Sequence, residues 1–137
     1  HCGVVNRIEG PSHIFSGEND RVVLDFGRNR MDFNYLAVTA ACLMVSRSKF
    51  IEVGGFDEHF PVAYNDVDLC FRLIESGYFN VQRNDVKLYH YESLSRGDDK
   101  ESKAKLKRLM RERTKLYDRH PQFYHTDWFY SYQYLYQ

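Results

Sequence analysis

The sequence predicts a single layered α/β domain, and three observations favour this fold class. One nearly unbroken apolar run, Leu36–Val45, has the length of a buried strand. A later segment carries apolar residues at positions i, i+3, i+4 and i+7, which is the spacing of one helix face. The chain has 137 residues, 43% of them hydrophobic and 28% charged, which suits one globular core. This composition excludes disordered and collagen-like chains, and the apolar run is too short to span a membrane.

The first third of the chain is predicted to form two strands separated by a long loop. Gly3–Ile8 is the first strand. Glu9–Tyr35 contains many turn-forming residues around one apolar patch, which is typical of a loop. Val38–Val45 is predicted to be a buried strand at the centre of the sheet.

A short helix is predicted over Lys49–Val53, with Ser46 as its N-cap. The pair Gly54 and Gly55 ends this helix, because glycine is the commonest residue just after a helix. Adjacent glycines also let a backbone approach a ligand closely. The pair is therefore either a plain helix stop or part of a binding loop.

The clearest helix is predicted over Asn65–Ser76, with Asn65 as its N-cap and Gly77 as its stop. Asp66 and Asp68 fall in the first turn, where the helix dipole favours carboxylates. Their side chains point about 200° apart, so only one of them readily faces a cleft. Both acids flank a residue of the apolar face and should lie near its edge. The apolar face consists of Val67, Cys70, Phe71 and Ile74.

Two further strands are predicted after this helix, at Phe79–Gln82 and at Val86–His90. His90 would lie at the end of the second strand. Asp66, Asp68 and His90 are then candidates to hold a hard cation or to transfer a proton. The alternative is structural, because acids are expected in a first helical turn and a single histidine often has an ordinary hydrogen-bond partner.

The charges are unevenly distributed, although 19 basic and 19 acidic residues give a net charge of zero. The segment Lys100–Arg119 has nine basic and three acidic residues and is predicted to be a helix that packs on the outside. This helix is either a solvated surface or a contact for an anionic membrane or lipid diphosphate. Its apolar stripe consists of Leu106, Leu109, Met110 and Tyr117.

The C-terminal segment Phe123–Gln137 is dense in aromatic residues, eight of fifteen. Such residues stack on sugars, lie at a membrane interface, or pack against a further domain or a second copy; we favour packing. Cys2, Cys42 and Cys70 are odd in number and widely spaced, which argues against a disulfide framework and favours a cytosolic protein. The chain starts at His1 without a basic and apolar leader, so we expect a mature or excised piece with no targeting signal.

Four linked motifs give the sequence a family resemblance. Their order and spacing across Val38–Gly97 resemble the C-terminal half of family 2 glycosyltransferases of the GT-A fold. The resemblance is strongest to bacterial enzymes of O-antigen, capsule and cell-wall polysaccharide synthesis, including rhamnosyltransferases. The motifs are Thr39–Arg47, Val53–Glu58, Tyr64–Arg72 with Gly77, and Tyr89–Gly97.

The resemblance implies roles for individual residues. Asp66 occupies the place of the general base, with Asn65 where the family usually has another acid. His90 matches a histidine that helps to hold a metal and the diphosphate. Gly54 and Gly55 match the loop that lines the donor-sugar and acceptor site.

The remaining substrate-binding residues follow from the same resemblance. Asp57 and Glu58 lie in the matching loop and are expected to bind sugar hydroxyls, and Asp68 is placed with them. Arg96 lies in a Ser-Arg-Gly loop, where it either adds positive charge near the leaving diphosphate or is simply solvated.

The resemblance also implies the reaction, an inverting transfer of a sugar from a nucleotide-sugar donor to a glycan or lipid-linked acceptor. A divalent ion, Mg or Mn, would assist in the full-length enzyme. The nucleotide-binding units and Asp-x-Asp metal motif of the family are not found before Asp66. We therefore expect residues 1–97 to be the acceptor and catalytic-base half of a GT-A domain, with a mixed sheet flanked by helices. We expect residues 98–137 to be a basic helix and an aromatic tail that pack on this half-domain. The chain should be inactive alone.

The expected partners are the donor and acceptor, a second copy through the aromatic tail, and the inner face of the plasma membrane, but no nucleic acid. Two other functions compete with this interpretation. One is a non-catalytic module that binds nucleic acid or protein through the basic helix and tail. The other is a metal-dependent hydrolase using Asp66, Asp68 and His90.

Overall fold

Four short strands pair into two separate antiparallel sheets in the computed structural model, which describes residues 1–90 and 102–131. The expected single mixed sheet is therefore not found among these residues. The strands are β1 (Val4–Arg7), β2 (Gly10–His13), β3 (Phe33–Tyr35) and β4 (Asn80–Gln82). The helices are α1 (Arg47–Glu52), α2 (Asn65–Glu75) and α3 (Lys103–Arg119).

The two sheets are joined by one isolated bridge. β1 pairs with β2 in a hairpin that places Val4 opposite His13. β3 pairs with β4, with Tyr35 opposite Asn80. An antiparallel bridge between Val4 and Ala37 then links the two pairs. The segment predicted as one long loop thus contains both β2 and β3.

The predicted central strand over Val38–Val45 is wrong. Its start forms a 3₁₀ turn, Ala40–Cys42, because side chains take up the backbone donors that a strand would use. The Thr39 hydroxyl accepts from the Ala41 N–H at 3.4 Å, and the Asp66 carboxylate accepts from the Ala40 N–H at 2.9 Å. Only the first residues of the apolar run, Leu36 and Ala37, are buried, and Met44 is 97% exposed.

The second predicted strand, Val86–His90, is also wrong. The chain turns away after β4 because the Asn84 side chain donates to the carbonyls of Arg28 and Met31 at 2.8 and 3.0 Å. Residues 85–90 that follow are exposed and form no strand. The alternating apolar residues of this segment are therefore not on the buried face of a strand. His90 is exposed and does not belong to a sheet.

α2 forms the centre of the core, as its periodicity predicted. The four residues of its predicted apolar face are buried, and Leu69 and Leu73 are buried as well. The helix begins one residue earlier than expected, with Tyr64 rather than Asn65 at the N-cap. Gly77 follows the C-terminus with φ of 84°, which confirms the predicted stop.

α1 matches its prediction closely. Ser46 is the N-cap, and its hydroxyl accepts from the Lys49 N–H at 3.4 Å. The helix itself contributes no fully buried residue. It serves to bring the chain to the glycine pair at 54 and 55.

α3 packs on the core through its C-terminal half. Leu116 and Tyr117 are buried, whereas Leu106 and Met110 of the predicted stripe are 42% and 51% exposed. Beyond the helix, the fully buried Phe123 ring lies 4.4 Å from the Phe71 ring. Within residues 102–131, no helix has the length and apolar composition needed to cross a bilayer, and the same holds for residues 1–90.

A buried polar contact fixes the segment after α3 to the first strand. The Asn6 N–H donates to the Asp127 carboxylate at 2.9 Å, and the Asn6 amide donates to the carbonyl of Thr126 at 2.9 Å. The Tyr117 hydroxyl donates to the other side of the Asn6 amide. β1 is thereby bonded to residues more than 110 positions later in the chain.

Candidate functional site

The loop between α1 and α2 requires glycine at its start. Gly54 and Gly55 have φ of 85° and 69°, a region that side chains disfavour. A Cβ added at Gly55 would also lie 3.1 Å from the ring of Phe50. Gly54 is exposed and Gly55 is buried, so the chain turns from the surface into the protein at this pair.

Arg72 of α2 holds this loop in place. Its guanidinium donates to the carbonyl of Val53 and, at 2.6 Å, to the carbonyl of Gly55. The same group donates twice to the Asp68 carboxylate, at 2.9 and 2.7 Å. The loop conformation is therefore coupled to a carboxylate one helical turn before Arg72.

Asp68 is completely buried, whereas an edge position was expected from the sequence. Its second carboxylate oxygen lies 3.0 Å from Nε2 of His120 and 3.3 Å from the Arg119 guanidinium. Burial acts to raise the pKa of Asp68, but the hydrogen bonds from His120 and Arg72 outweigh it and lower the pKa below its ordinary value. Asp68 is thus a charged carboxylate surrounded by cationic groups.

Arg119 extends this arrangement to the loop itself. It donates to the carboxylate of Asp57 as well as to that of Asp68. Asp57 also accepts from the His59 N–H at 2.7 Å. That backbone hydrogen bond is the largest effect holding the pKa of Asp57 well below its usual range, and the Arg119 guanidinium adds to it.

His120 completes the cluster on its buried side. Its Nδ1 lies 2.7 Å from the Glu75 carboxylate, so each ring nitrogen contacts an acid. Burial acts to lower the pKa of His120, but the hydrogen bonds to Asp68 and Glu75 outweigh it and raise the pKa. An imidazolium donates from both nitrogens, which is what two carboxylate partners require.

We call this cluster the Asp68 network. With His120 protonated, the network contains three negative and three positive groups. The negative charge of the fully buried Asp68 is therefore balanced by positive charges. Its members are Asp57, Asp68, Arg72, Glu75, Arg119 and His120.

Asp66 lies in a different environment on the same helix. Its two carboxylate oxygens accept from the N–H groups of Ala40 and Val67, both at 2.9 Å. The side chain is half-buried, and these two bonds use only part of the roughly four lone-pair positions of a carboxylate. Tyr64, two residues earlier, has φ of 61°, a conformation that costs free energy and often occurs at functional sites. Asp66 is therefore fixed in place yet still able to accept a further hydrogen bond.

The structure brings only some of the predicted site residues together. Gly55, Asp57 and Asp68 are linked through Arg72 and Arg119, while Asp66 contacts the segment at Ala40. Glu58 is exposed. Arg96 falls outside the described residues.

The described residues do not by themselves gather a metal site from the candidates Asp66, Asp68 and His90. Within 1–90 and 102–131, no group of three or more His, Cys, Asp or Glu side chains is placed to hold a metal ion. Asp68 is engaged by cationic side chains, and Asp66 and exposed His90 are not gathered with it. The donor set present here therefore does not fit a complete divalent-ion site.

Four residues of the Asp68 network, Arg72, Glu75, Arg119 and His120, were not predicted from the sequence. Asp68 and Arg72 are four positions apart on a helix, a spacing that favours an ion pair. This contact could therefore have been predicted from the sequence. Arg119 and His120 lie 51 and 52 positions from Asp68, and no sequence pattern indicates that contact.

Two cavities lie elsewhere on the surface. One, of about 340 Å³, is lined by residues that include Asn29, Asn84 and Lys87. The other, of about 360 Å³, lies beside α3 and is lined in part by Arg113 and Tyr124. Asp66 lines neither of these two cavities.

The chain is similar to parts of several bacterial proteins. It is 40% identical over 128 residues to an uncharacterized protein of Sinorhizobium fredii, covering 86% of this chain and 14% of that protein. It is 42% identical over 105 residues to the O-antigen biosynthesis protein RfbC of Myxococcus xanthus, covering 72% of this chain and 8% of that protein.

A shorter similarity involves an enzyme whose name states its reaction. The chain is 39% identical over 62 residues to an N-acetylglucosaminyl-diphospho-decaprenol L-rhamnosyltransferase of Mycobacterium tuberculosis, covering 45% of this chain and 20% of the enzyme. No protein-family model and no solved structure matches the chain. The chain thus spans a fifth or less of the length of these curated relatives.

Proposed function

We propose that this chain is part of a family 2 glycosyltransferase of the GT-A fold that acts in bacterial cell-surface polysaccharide synthesis. The observation that carries the proposal is the similarity to a named rhamnosyltransferase and to a named O-antigen biosynthesis protein, at 39% and 42% identity. The proposed substrates are a nucleotide-sugar donor and a glycan or lipid-linked acceptor.

Asp66 is the proposed general base, and the contrast with Asp68 supports this choice. A base must be reachable by the acceptor hydroxyl and must be able to take up its proton. Asp68 is 0% exposed, and its pKa is lowered by hydrogen-bonding partners that disfavour protonation. Asp66 is half-buried and retains unused lone pairs. Of the two carboxylates in the first turn, Asp66 is the one that an acceptor hydroxyl can reach.

The proposed reaction is a single displacement with inversion. Asp66 takes the proton of the acceptor hydroxyl while the hydroxyl oxygen forms a bond to the anomeric carbon of the donor sugar. The bond from that carbon to the diphosphate oxygen breaks on the opposite face, and the nucleoside diphosphate leaves. We derive no step through a metal ion, since the described residues do not gather a complete site for one. Mg or Mn, and contributions from His90 and Arg96, stay predictions.

The loop from Gly54 to Glu58 is the proposed binding surface for sugar hydroxyls. Asp57 and Glu58 offer carboxylate acceptors there, and Arg72 and Arg119 fix the loop to α2. In this proposal Asp68 positions the loop through both arginines rather than contacting substrate. Association of two copies through the aromatic tail also stays a prediction, although Phe123 itself is buried within this chain.

The test compares Asp66→Asn with the wild type in the protein that contains this chain. Release of nucleoside diphosphate is followed with UDP, GDP and dTDP sugars and a polyprenyl-diphosphate-linked acceptor. General-base catalysis is worth about 10²–10⁴-fold, so Asp66→Asn should lower turnover by that factor with unchanged donor affinity. Near-full turnover in Asp66→Asn would overturn the base assignment, and transfer of no sugar by the wild type would overturn the proposed function.

A further inference from the structure

The first half of α3 presents a row of cations on its exposed side. Lys103, Lys107 and Arg111 are exposed and recur every four residues, so they lie on one face of the helix. In the part of the chain that the structure describes, none of the three forms an ion pair. The first turn contains no acidic residue that would offset their charge.

Two apolar side chains lie directly beside this row. Leu106 and Met110 are 42% and 51% exposed and also differ by one helical turn. They are about 60° round the helix from Lys103 and Lys107. This face of α3 therefore presents positive charge and exposed apolar surface side by side.

The helix cannot rotate to bury these two residues, because its C-terminal half and Glu112 are anchored to the rest of the chain. Leu116 and Tyr117 are buried in the core. The buried Glu112 carboxylate accepts from the Ala63 N–H at 2.7 Å, which fixes the rotation of α3 relative to the chain before α2. The exposed face is therefore a stable feature of the fold.

We propose that this face of α3 binds the surface of an anionic phospholipid membrane. Lys103, Lys107 and Arg111 meet the acidic headgroups, and Leu106 and Met110 insert at the boundary between headgroups and acyl chains. Nucleic acid suits this face less well, because it offers no aromatic ring for base stacking between residues 103 and 114. The proposal does not depend on the proposed transferase function.

The test measures flotation of the full chain with vesicles of phosphatidylcholine alone or with 30 mol % phosphatidylglycerol. Binding is expected only with the anionic vesicles and should weaken as salt is raised. Each lysine near an anionic surface is worth about fivefold in binding, so Lys103→Gln/Lys107→Gln should lose about 30-fold. The matched control, Arg21→Gln/Arg47→Gln, removes two exposed cations elsewhere and should bind as the wild type does.

Insertion is tested separately with Leu106→Ser/Met110→Ser, which should lose affinity for anionic vesicles at least tenfold. Its control is Met44→Ser/Ile51→Ser, since both residues are at least as exposed but lie outside α3. Circular dichroism confirms that each variant is folded. Equal binding to both vesicle types, equal losses in variant and control, or tighter binding to an oligonucleotide than to the anionic vesicles would each overturn the proposal.

Discussion

The Nε2 atom of His120 lies 3.0 Å from a carboxylate oxygen of Asp68, although the two residues are 52 positions apart. Both side chains are at most 1% exposed. The contact joins the end of α3 to the first turn of α2, and through Arg72 to the loop at Gly55. The candidate site therefore depends on a residue that no sequence motif includes.

Removing the charge of Asp68 should destabilise the fold severely. Asp68→Asn leaves Arg72, Arg119 and His120 without their shared anion, and breaking a buried ion pair costs about 3–5 kcal/mol. The measurement is the free energy of unfolding from urea denaturation. Asp66→Asn is the control, because the amide oxygen still accepts one backbone hydrogen bond, and it should cost about 1 kcal/mol. A smaller loss for Asp68→Asn than for Asp66→Asn would contradict the assigned structural role.

The raised pKa of His120 makes stability depend on pH. A group whose pKa is higher in the folded state contributes stability below its unfolded pKa, about 6.5, and that contribution is lost as pH rises through the folded pKa. The free energy of unfolding of the wild type should therefore fall above pH 6.5. His120→Gln should remove this fall, whereas His90→Gln, at an exposed site, should keep it. Parallel pH profiles for wild type and His120→Gln would show that His120 is not protonated in the fold.

Cys70 should not tolerate a charge. The side chain is 0% exposed, and burial raises the pKa of its thiol to about 12. Cys70→Asp places an unpaired carboxylate in the α2 core and should cost more than about 4 kcal/mol or prevent folding. Cys70→Ala, which leaves a small cavity, should cost about 1–2 kcal/mol. Thermal unfolding followed by circular dichroism distinguishes the two, and similar melting temperatures would argue against the buried position.

The Asn6 amide should govern the attachment of the segment after α3. Asn6→Ala removes the amide hydrogen bonds to the carbonyls of Phe123 and Thr126 and to the hydroxyl of Tyr117, at about 2–4 kcal/mol in total. Limited proteolysis should then cut between residues 120 and 131 much faster than in the wild type. Asn34→Ala, on an exposed position of β3, is the matched control. Unchanged cleavage in Asn6→Ala would mean that the packing of Phe123 and the hydrogen bond from the backbone N–H of residue 6 to Asp127 hold the segment without the amide.

Local patterns predicted the helices well, and β1 and β4 lie within the predicted strands Gly3–Ile8 and Phe79–Gln82, but β2 and β3 were not predicted. The apolar face of α2 and the Ser46 cap of α1 depend on neighbours within a few residues, so the sequence contains them. The strand over Val38–Val45 failed because the Asp66 carboxylate, 26 positions away, accepts from the Ala40 N–H. The periodicity of a segment gives no information about a distant side chain that accepts hydrogen bonds from the backbone of that segment.

The candidate site was predictable only in part. Asp66, Asp68 and the glycine pair could be identified because they lie in compact motifs. Their environments could not, since full burial of Asp68 follows from Arg119 and His120 at the far end of α3. Helix geometry alone places Asp66 and Asp68 on different sides of α2. It does not indicate which of the two sides is buried in the protein.

The bonding of Asn6 to Tyr117, Thr126 and Asp127 also has a consequence for synthesis of the protein. Contacts that span more than 110 positions form late, because a long stretch of chain must be ordered first. The hairpin of β1 and β2 is synthesised before α3 and lacks its buried partners until residue 127 has emerged from the ribosome. β1 and β2 therefore keep polar and apolar groups unsatisfied until the residues from Tyr117 to Asp127 have been translated.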